Sequence, residues 1–241
     1  MLLVSDEETG SDDSKLLTQE LAKKYDECFV FEAAGKNMEV VVARKGVGTF
    51  FLDIEGKAAH SGVRYAEGVN ANVEGAKKLL ALQDLTNLNL GTTVNVGLIE
   101  GGIGANTISP KAKLTFEIRY ESNSERDRLL KEIDNIVNNS FVKGTKAILS
   151  GGIQRDVMEP NEAQFKLIKE LEQISGQKIL SEKRGGVSDA NIVASCGVTT
   201  LDGFGPYGDG DHTINERALK SSFFSRIDLV KSYVEDFLEQ I

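Results

Sequence analysis

Apolar positions along the chain alternate between short continuous runs and longer stretches at helical spacing. "MLLVS" reads as a buried strand, and "SKLLTQELAKKY" reads as a helix with Ser14 placed as its N-cap. "ECFVFEA" reads as a second apolar strand. Strand, helix and strand within about 30 residues predict a βαβ unit with parallel strands. In such sheets ligands bind beyond the carboxyl ends of the strands, which is where Glu7, Glu8 and Glu32 fall.

The pattern then changes. "GVGTFFLDIEG" is a strand with a Gly-rich lead-in, "GVNANVEGAKKLLALQDL" an amphipathic helix, and "TTVNVGLIEGG" a strand with alternation. In "KAKLTFEIRYES", Leu114, Phe116 and Ile118 share one face, and Lys113, Thr115, Glu117 and Arg119 share the other. The helix "SERDRLLKEIDNIVNN" and the strand "TKAILSGG" follow. The order β-α-β-β-α-β predicts a ferredoxin-like α+β domain inserted at 46–153. It divides an α/β domain into a first part, 1–45, and a second part, 154–241. In the second part, "NEAQFKLIKELEQISG" is a helix with Asn161 as cap and Gly176 as stop. The strand "QKILSEK", the short helix "VSDANIVASCG", the strand "VTTLDGFGP" and a last helix at about 217–239 complete the order.

Composition narrows the function classes. The chain has 241 residues, is 40% hydrophobic and carries a formal charge of −9. This supports a packed core and argues against nucleic acid as the main partner, since no dense Lys/Arg run interleaves with aromatics. No apolar stretch approaches the roughly 20 residues of a membrane helix. "MLLV" is too short for a signal peptide and lacks a basic lead-in, so a soluble, cytoplasmic protein is expected. The two cysteines, Cys28 and Cys196, lie too far apart for CxxC spacing, and no disulfide framework is expected.

Three features carry candidate chemistry. Adjacent carboxylates in "DEETGS" repel unless a cation neutralises them, and one can ligate a metal while its neighbour takes a proton from water. They equally suit an acid-rich helix start. Glu32 ends an apolar run, where a carboxylate either meets solvent or binds something. His212 closes the Gly-rich run "GPYGDGDHTINE" between Asp211 and Thr213, and glycines at this density imply a demanding backbone path. Together these point to a zinc site built from loops at one end of the sheet.

In this order, "SDEETGS", "FEAAG", "GKAAHSG", "EGGIGANTISP", "EIRY", "GGVSDA" and "GPYGDGDHTINE" resemble the co-catalytic zinc exopeptidases. That family includes glutamate carboxypeptidase (carboxypeptidase G2), acetylornithine deacetylase, succinyl-diaminopimelate desuccinylase and tripeptide aminopeptidase. The resemblance runs from residue 4 to the last helix. It is nearest to the glutamate-carboxypeptidase branch. It implies a mostly parallel-sheet catalytic domain with a ferredoxin-like lid that carries a homodimer interface. It also implies two zinc ions per site, and small peptides or N-acyl amino acids as substrates, cleaved at an amide beside a free carboxylate.

The resemblance assigns Glu7 as general base, Glu8, Glu32 and His212 as zinc ligands, and His60 as a lid histidine that stabilises the oxyanion. It assigns Asn106, Arg119, Arg155, Gly186 and Ser188 to substrate binding. Read alone, Asn106 equally suits a turn before Ser109 and Pro110, and Arg119 a solvated strand face. Family members also carry an N-terminal segment with a His-x-Asp motif and a bridging Asp, which this sequence does not supply. The catalytic domain is therefore expected to be incomplete, zinc binding weak and activity impaired. A deacylase or aminopeptidase of the same family, or a non-catalytic dimerisation fragment, are the alternatives.

Overall fold

The computed structural model describes residues 1–239. In chain order the elements are α1 (Lys15–Ala22), β1 (Glu27–Phe29), β2 (Val40–Arg44), β3 (Gly46–Glu55), α2 (Ala71–Gln83), β4 (Thr93–Gly101), β5 (Lys111–Tyr120), α3 (Asn123–Asn138) and β6 (Lys146–Arg155). There follow α4 (Glu162–Ser175), β7 (Ser181–Arg184), α5 (Asp189–Ala194), β8 (Thr199–Leu201), β9 (Gly208–Asp209), β10 (Arg217–Ala218) and α6 (Lys220–Glu239). The chain divides into two units, 1–45 with 156–241, and 46–155. Among the described residues no helix is long and apolar enough to cross a membrane.

In the first unit, β1 pairs with β8 and β2 with β7, both parallel. Reciprocal backbone hydrogen bonds between Val41 and Asp202 join the two pairs. Val40, Val42 and Leu201 pack against Leu167, Ile168 and Leu171 of α4 and Leu229 of α6. Each such buried side chain contributes roughly 2 kcal/mol through removal from water. The cap expected at Asn161 is a full capping box with Gln164, and Gly176 ends α4 in the left-handed conformation.

Three sequence expectations for this unit are corrected. Residues 1–4 are exposed and form no strand, because no described strand offers them a backbone ladder. The opening acids therefore sit in a 3-10 turn, Glu7–Thr9, rather than at a strand end. Strand β2, buried at every position, escaped the sequence reading because a fully buried strand shows no alternation. The last helix begins at Lys220, since Arg217 and Ala218 are drawn into a hairpin with β9.

The second unit is a four-stranded antiparallel sheet in the order β4-β5-β3-β6. With α2 and α3 as crossovers, this is the expected ferredoxin-like pattern. Leu52, Ile54, Leu114, Phe116, Ile118 and Tyr120 are its buried face, and Leu82 of α2 and Leu129 and Ile133 of α3 are buried as well. Gly46 pairs with Tyr120, and a Cβ there would lie 2.3 Å from the tyrosine ring. Asn70 and Ser122 cap α2 and α3 through their side-chain oxygens.

Candidate functional site

The opening acids have separate jobs. Asp6 turns inward, and its Oδ2 accepts from the Asp13 and Ser14 N–H groups at 3.0 and 2.9 Å. Asp6 thus fixes the turn that leads into α1, while the capping expected of Ser14 is not made, since its side chain forms no cap bond to α1. Ser11, fully buried at φ 59°, donates to Asp189 Oδ1 at 2.6 Å and ties the turn to the start of α5. Glu7 and Glu8 are thereby held between two anchored points.

Glu8 Oε2 lies 3.8 Å from His212 Nδ1, and both side chains are about four-fifths exposed (78% and 80%). His212 sits at φ 61°, a left-handed conformation that a non-glycine residue adopts only where its surroundings enforce it. The β9–β10 hairpin supplies that enforcement. Arg217 grips Asp209 with two hydrogen bonds at 2.7 and 3.1 Å, and the His212 N–H donates to Glu216. Gly205 explains one glycine of this loop: a Cβ there would lie 2.7 Å from the Glu32 carbonyl oxygen.

Glu8, Glu32 and His212 line one cleft of about 700 Å³, together with Arg44, Arg184 and Gly186. Burial pushes the Glu32 carboxyl up to about 6, the charges of Asp202 and Glu7 add to the shift, and Arg44 opposes it. A carboxyl raised above its ordinary 4.5 binds its proton more tightly in the folded chain. Stability of the metal-free protein should therefore fall as the pH rises from about 4.5 through about 6. Glu32→Gln should remove that component. Melting temperatures of both proteins across this range check it, and identical profiles would refute it.

Ser188 departs from expectation. It is 1% exposed, donates to Asp202 Oδ2 at 2.7 Å and accepts from the Ala190 N–H at 3.1 Å. As N-cap of α5 its hydroxyl serves the fold, and only Gly186 of the pair lines the cleft. Sequence reasoning missed Arg44, Arg184 and Asp202. Arg184 donates to Glu182 at 2.7 Å and to the Ala33 carbonyl at 2.8 Å. Its place directly before Gly185 and Gly186 was a usable signal; the buried Arg44–Asp202 pair, 158 residues apart, had none.

The remaining candidates belong to the second unit. His60 and Asn106 stand on neighbouring loops: His60 bridges Thr107, and the Ser61 N–H donates to the Asn106 carbonyl at 2.9 Å. His60 is exposed, with Nδ1 accepting from the Gly62 N–H at 3.2 Å. Arg119 and Arg155 both pair with Val47, from β5 and β6, which places them on the sheet face away from the helices. Arg119 grips Glu117 at 2.7 Å, and Arg155 is buried.

A zinc site takes three or four protein ligands at close to 2 Å. Among the described residues no three His, Cys, Asp or Glu side chains converge closely enough to hold a metal ion. Glu8 and His212 approach each other, but the chain's own donors do not make a closed site.

Residues 42–145 match the peptidase dimerisation domain of the M20 family. Carboxypeptidase G2 of Pseudomonas sp. (strain RS-16) is 27% identical over 220 residues, covering 88% of this chain and 52% of that protein. The chain thus carries a segment similar to the M20 peptidase dimerisation domain and is similar to carboxypeptidase G2 over most of its length. Among solved structures, aminopeptidase PepT of Bacillus cereus shares the fold at a TM-score of 0.76 and 22% identity, over 92% of this chain and 61% of that one. The YXEP protein of Bacillus subtilis, described as a dinuclear metal-binding peptidase of the M20 family, shares it at 0.69 and 14%, over 98% and 64%. The chain spans about half the length of the curated relatives it matches.

Proposed function

We propose that the chain serves a zinc-dependent hydrolase of the glutamate-carboxypeptidase type, which cleaves an amide bond beside a free carboxylate. The observation that carries this reading is the likeness to carboxypeptidase G2 over 88% of the chain. The cleft supports it by bringing Glu8, Glu32 and His212 beside the arginines and backbone of Arg44, Arg184 and Gly186. Zinc would supply Lewis-acid activation of water and carbonyl. Glu8, Glu32 and His212 are its candidate donors, but among the described residues they do not form a closed site. Glu7 is the candidate proton acceptor. His60 is the candidate oxyanion donor, and Asn106, Arg119, Arg155 and Gly186 are the candidate carboxylate contacts. The dimerisation-domain match supports a homodimer.

A panel of N-acyl-glutamates, small peptides and acetylated diamino acids, incubated with the chain and added zinc, tests the reading. Turnover by this chain should be slow, because its donors form no closed zinc site, with release of C-terminal glutamate the fastest of the reactions, and Glu7→Gln should abolish it. Faster deacetylation of the diamino acids, or turnover indifferent to Glu7→Gln, would overturn it. A second reading, a non-catalytic dimerisation module, is favoured by the domain match and by the open donor set. Dimers in sedimentation with no turnover of any panel member would establish it.

A further inference from the structure

The loop 185–188 joins β7 to α5 and reaches the cleft at Gly186 and Val187. Two buried charged side chains hold it. Arg44, at the end of β2, is 5% exposed, and Asp202, just beyond β8, is fully buried. Arg44 Nε donates to Asp202 Oδ2 at 2.6 Å, and Arg44 Nη1 donates to the Gly186 carbonyl at 3.0 Å. Asp202 Oδ2 also accepts from the Ser188 hydroxyl at 2.7 Å, and Oδ1 from the Gly203 N–H at 2.6 Å. A buried ion pair is weak as a source of stability, because desolvation offsets its attraction. Its geometry is the part that an apolar pair could not reproduce. The planar guanidinium presents two donors in fixed directions, one to the carboxylate and one to the loop carbonyl.

That second bond has a stereochemical consequence. In a planar trans peptide the N–H points opposite to the C=O. With the Gly186 carbonyl drawn to Arg44, the Val187 N–H of the same peptide plane is turned the other way. Val187 lines the cleft, and its N–H meets no acceptor among the described residues. An unpaired backbone N–H in a cleft is a natural donor to a carboxylate.

We propose that Arg44 is a positioning residue: by holding the Gly186 carbonyl it presents the Val187 N–H to the cleft as a donor for a substrate carboxylate. This rests on the carboxylate reading given under the proposed function. Arg44 needs no contact with the ligand. A lysine, with one point charge, cannot span both acceptors in fixed geometry.

The test uses the full chain, labelled with ¹⁵N, and N-acetyl-L-glutamate as probe. In the wild type the Val187 amide resonance should move downfield as the probe is titrated, in step with the heat of binding. In Arg44→Lys the probe should bind about tenfold more weakly or worse, the scale of one charge-assisted contact, with the Val187 response lost. A purely structural role for Arg44 would instead lower the melting temperature and leave both affinity and Val187 response intact. If the probe gives no heat of binding to the wild type, the carboxylate reading falls, and this inference with it. If the probe binds while the wild-type Val187 amide stays still, this inference alone is overturned. The wild-type titration decides that point even if Arg44→Lys does not fold.

Discussion

Lys78→Met should lower the stability of the second unit by about 3–5 kcal/mol, as expected for breaking a buried ion pair from one side. Lys78 and Glu74, one turn apart on α2, are both fully buried and lie 3.1 Å apart. The ammonium donates to the carbonyls of Ile136, Val137 and Asn139, where α3 ends. The Glu74 carboxylate accepts from the Phe141 and Val142 N–H groups at 3.2 and 2.6 Å. One ion pair thus satisfies the orphan carbonyls of a helix end and the backbone that follows. The cation also lies where the helix macrodipole is negative. Methionine fills the volume but leaves three carbonyls and a buried carboxylate uncompensated. For a domain of this size the midpoint should drop by roughly 15 °C or more. Adding Glu74→Leu should restore part of the loss, because the stranded charge is removed, but not all, because the carbonyls stay unpaired. Thermal and denaturant melts of the two single variants and the double variant measure this. A Lys78→Met midpoint within a few degrees of wild type would show the pair to be dispensable.

Gly151→Ala should cost about 3 kcal/mol, through left-handed strain together with a backbone collision. Gly151 sits in β6 opposite Phe50 at φ +91°. A Cβ there would meet the Thr49 carbonyl oxygen at 2.3 Å and the Phe50 Cα at 3.0 Å. Neither atom is the free end of a side chain, so β3 itself would have to shift, and Phe50 is stacked on Phe116 at 5.3 Å. Gly152 provides the internal control. It is the next residue in the same strand, with open space around its Cβ position. Gly152→Ala should change stability by no more than about 0.5 kcal/mol. Equal melting midpoints for the two variants would refute the argument.

Much of the fold was readable from local pattern. The four strands and two helices of the second unit each carry their own periodicity. Leu114, Phe116 and Ile118 alternate with polar or charged neighbours, and the sheet buries that side. The cap at Asn161 and the stop at Gly176 were legible because helix ends are a matter of three or four adjacent residues. Less was legible where a segment depends on its partners. "MLLV" has the composition of a strand, yet a strand needs a neighbouring backbone, and none is paired with it. β2 was hidden because burial on both faces erases the period of two.

The candidate site divides in the same way. Glu8, Glu32 and His212 were singled out from motifs far apart in sequence, and the structure sets them around one cleft. Ser188 was singled out with them, but which way a hydroxyl faces depends on the acceptor it meets. Asp202 lies 14 residues on and fully buried, and it draws the hydroxyl inward.

The sequence by itself determined the order of elements in the second unit, its ferredoxin-like pattern and the residue types available for chemistry, because these follow from local periodicity and short motifs. Only the tertiary structure decided that Arg44, Asp202 and Ser188 form one buried cluster at the wall of the cleft, and that Glu74 and Lys78 seal the end of α3. Buried charges leave no periodic trace in a sequence. They stand where apolar residues would otherwise be expected, and they are tolerated only when distant segments fold back to satisfy them.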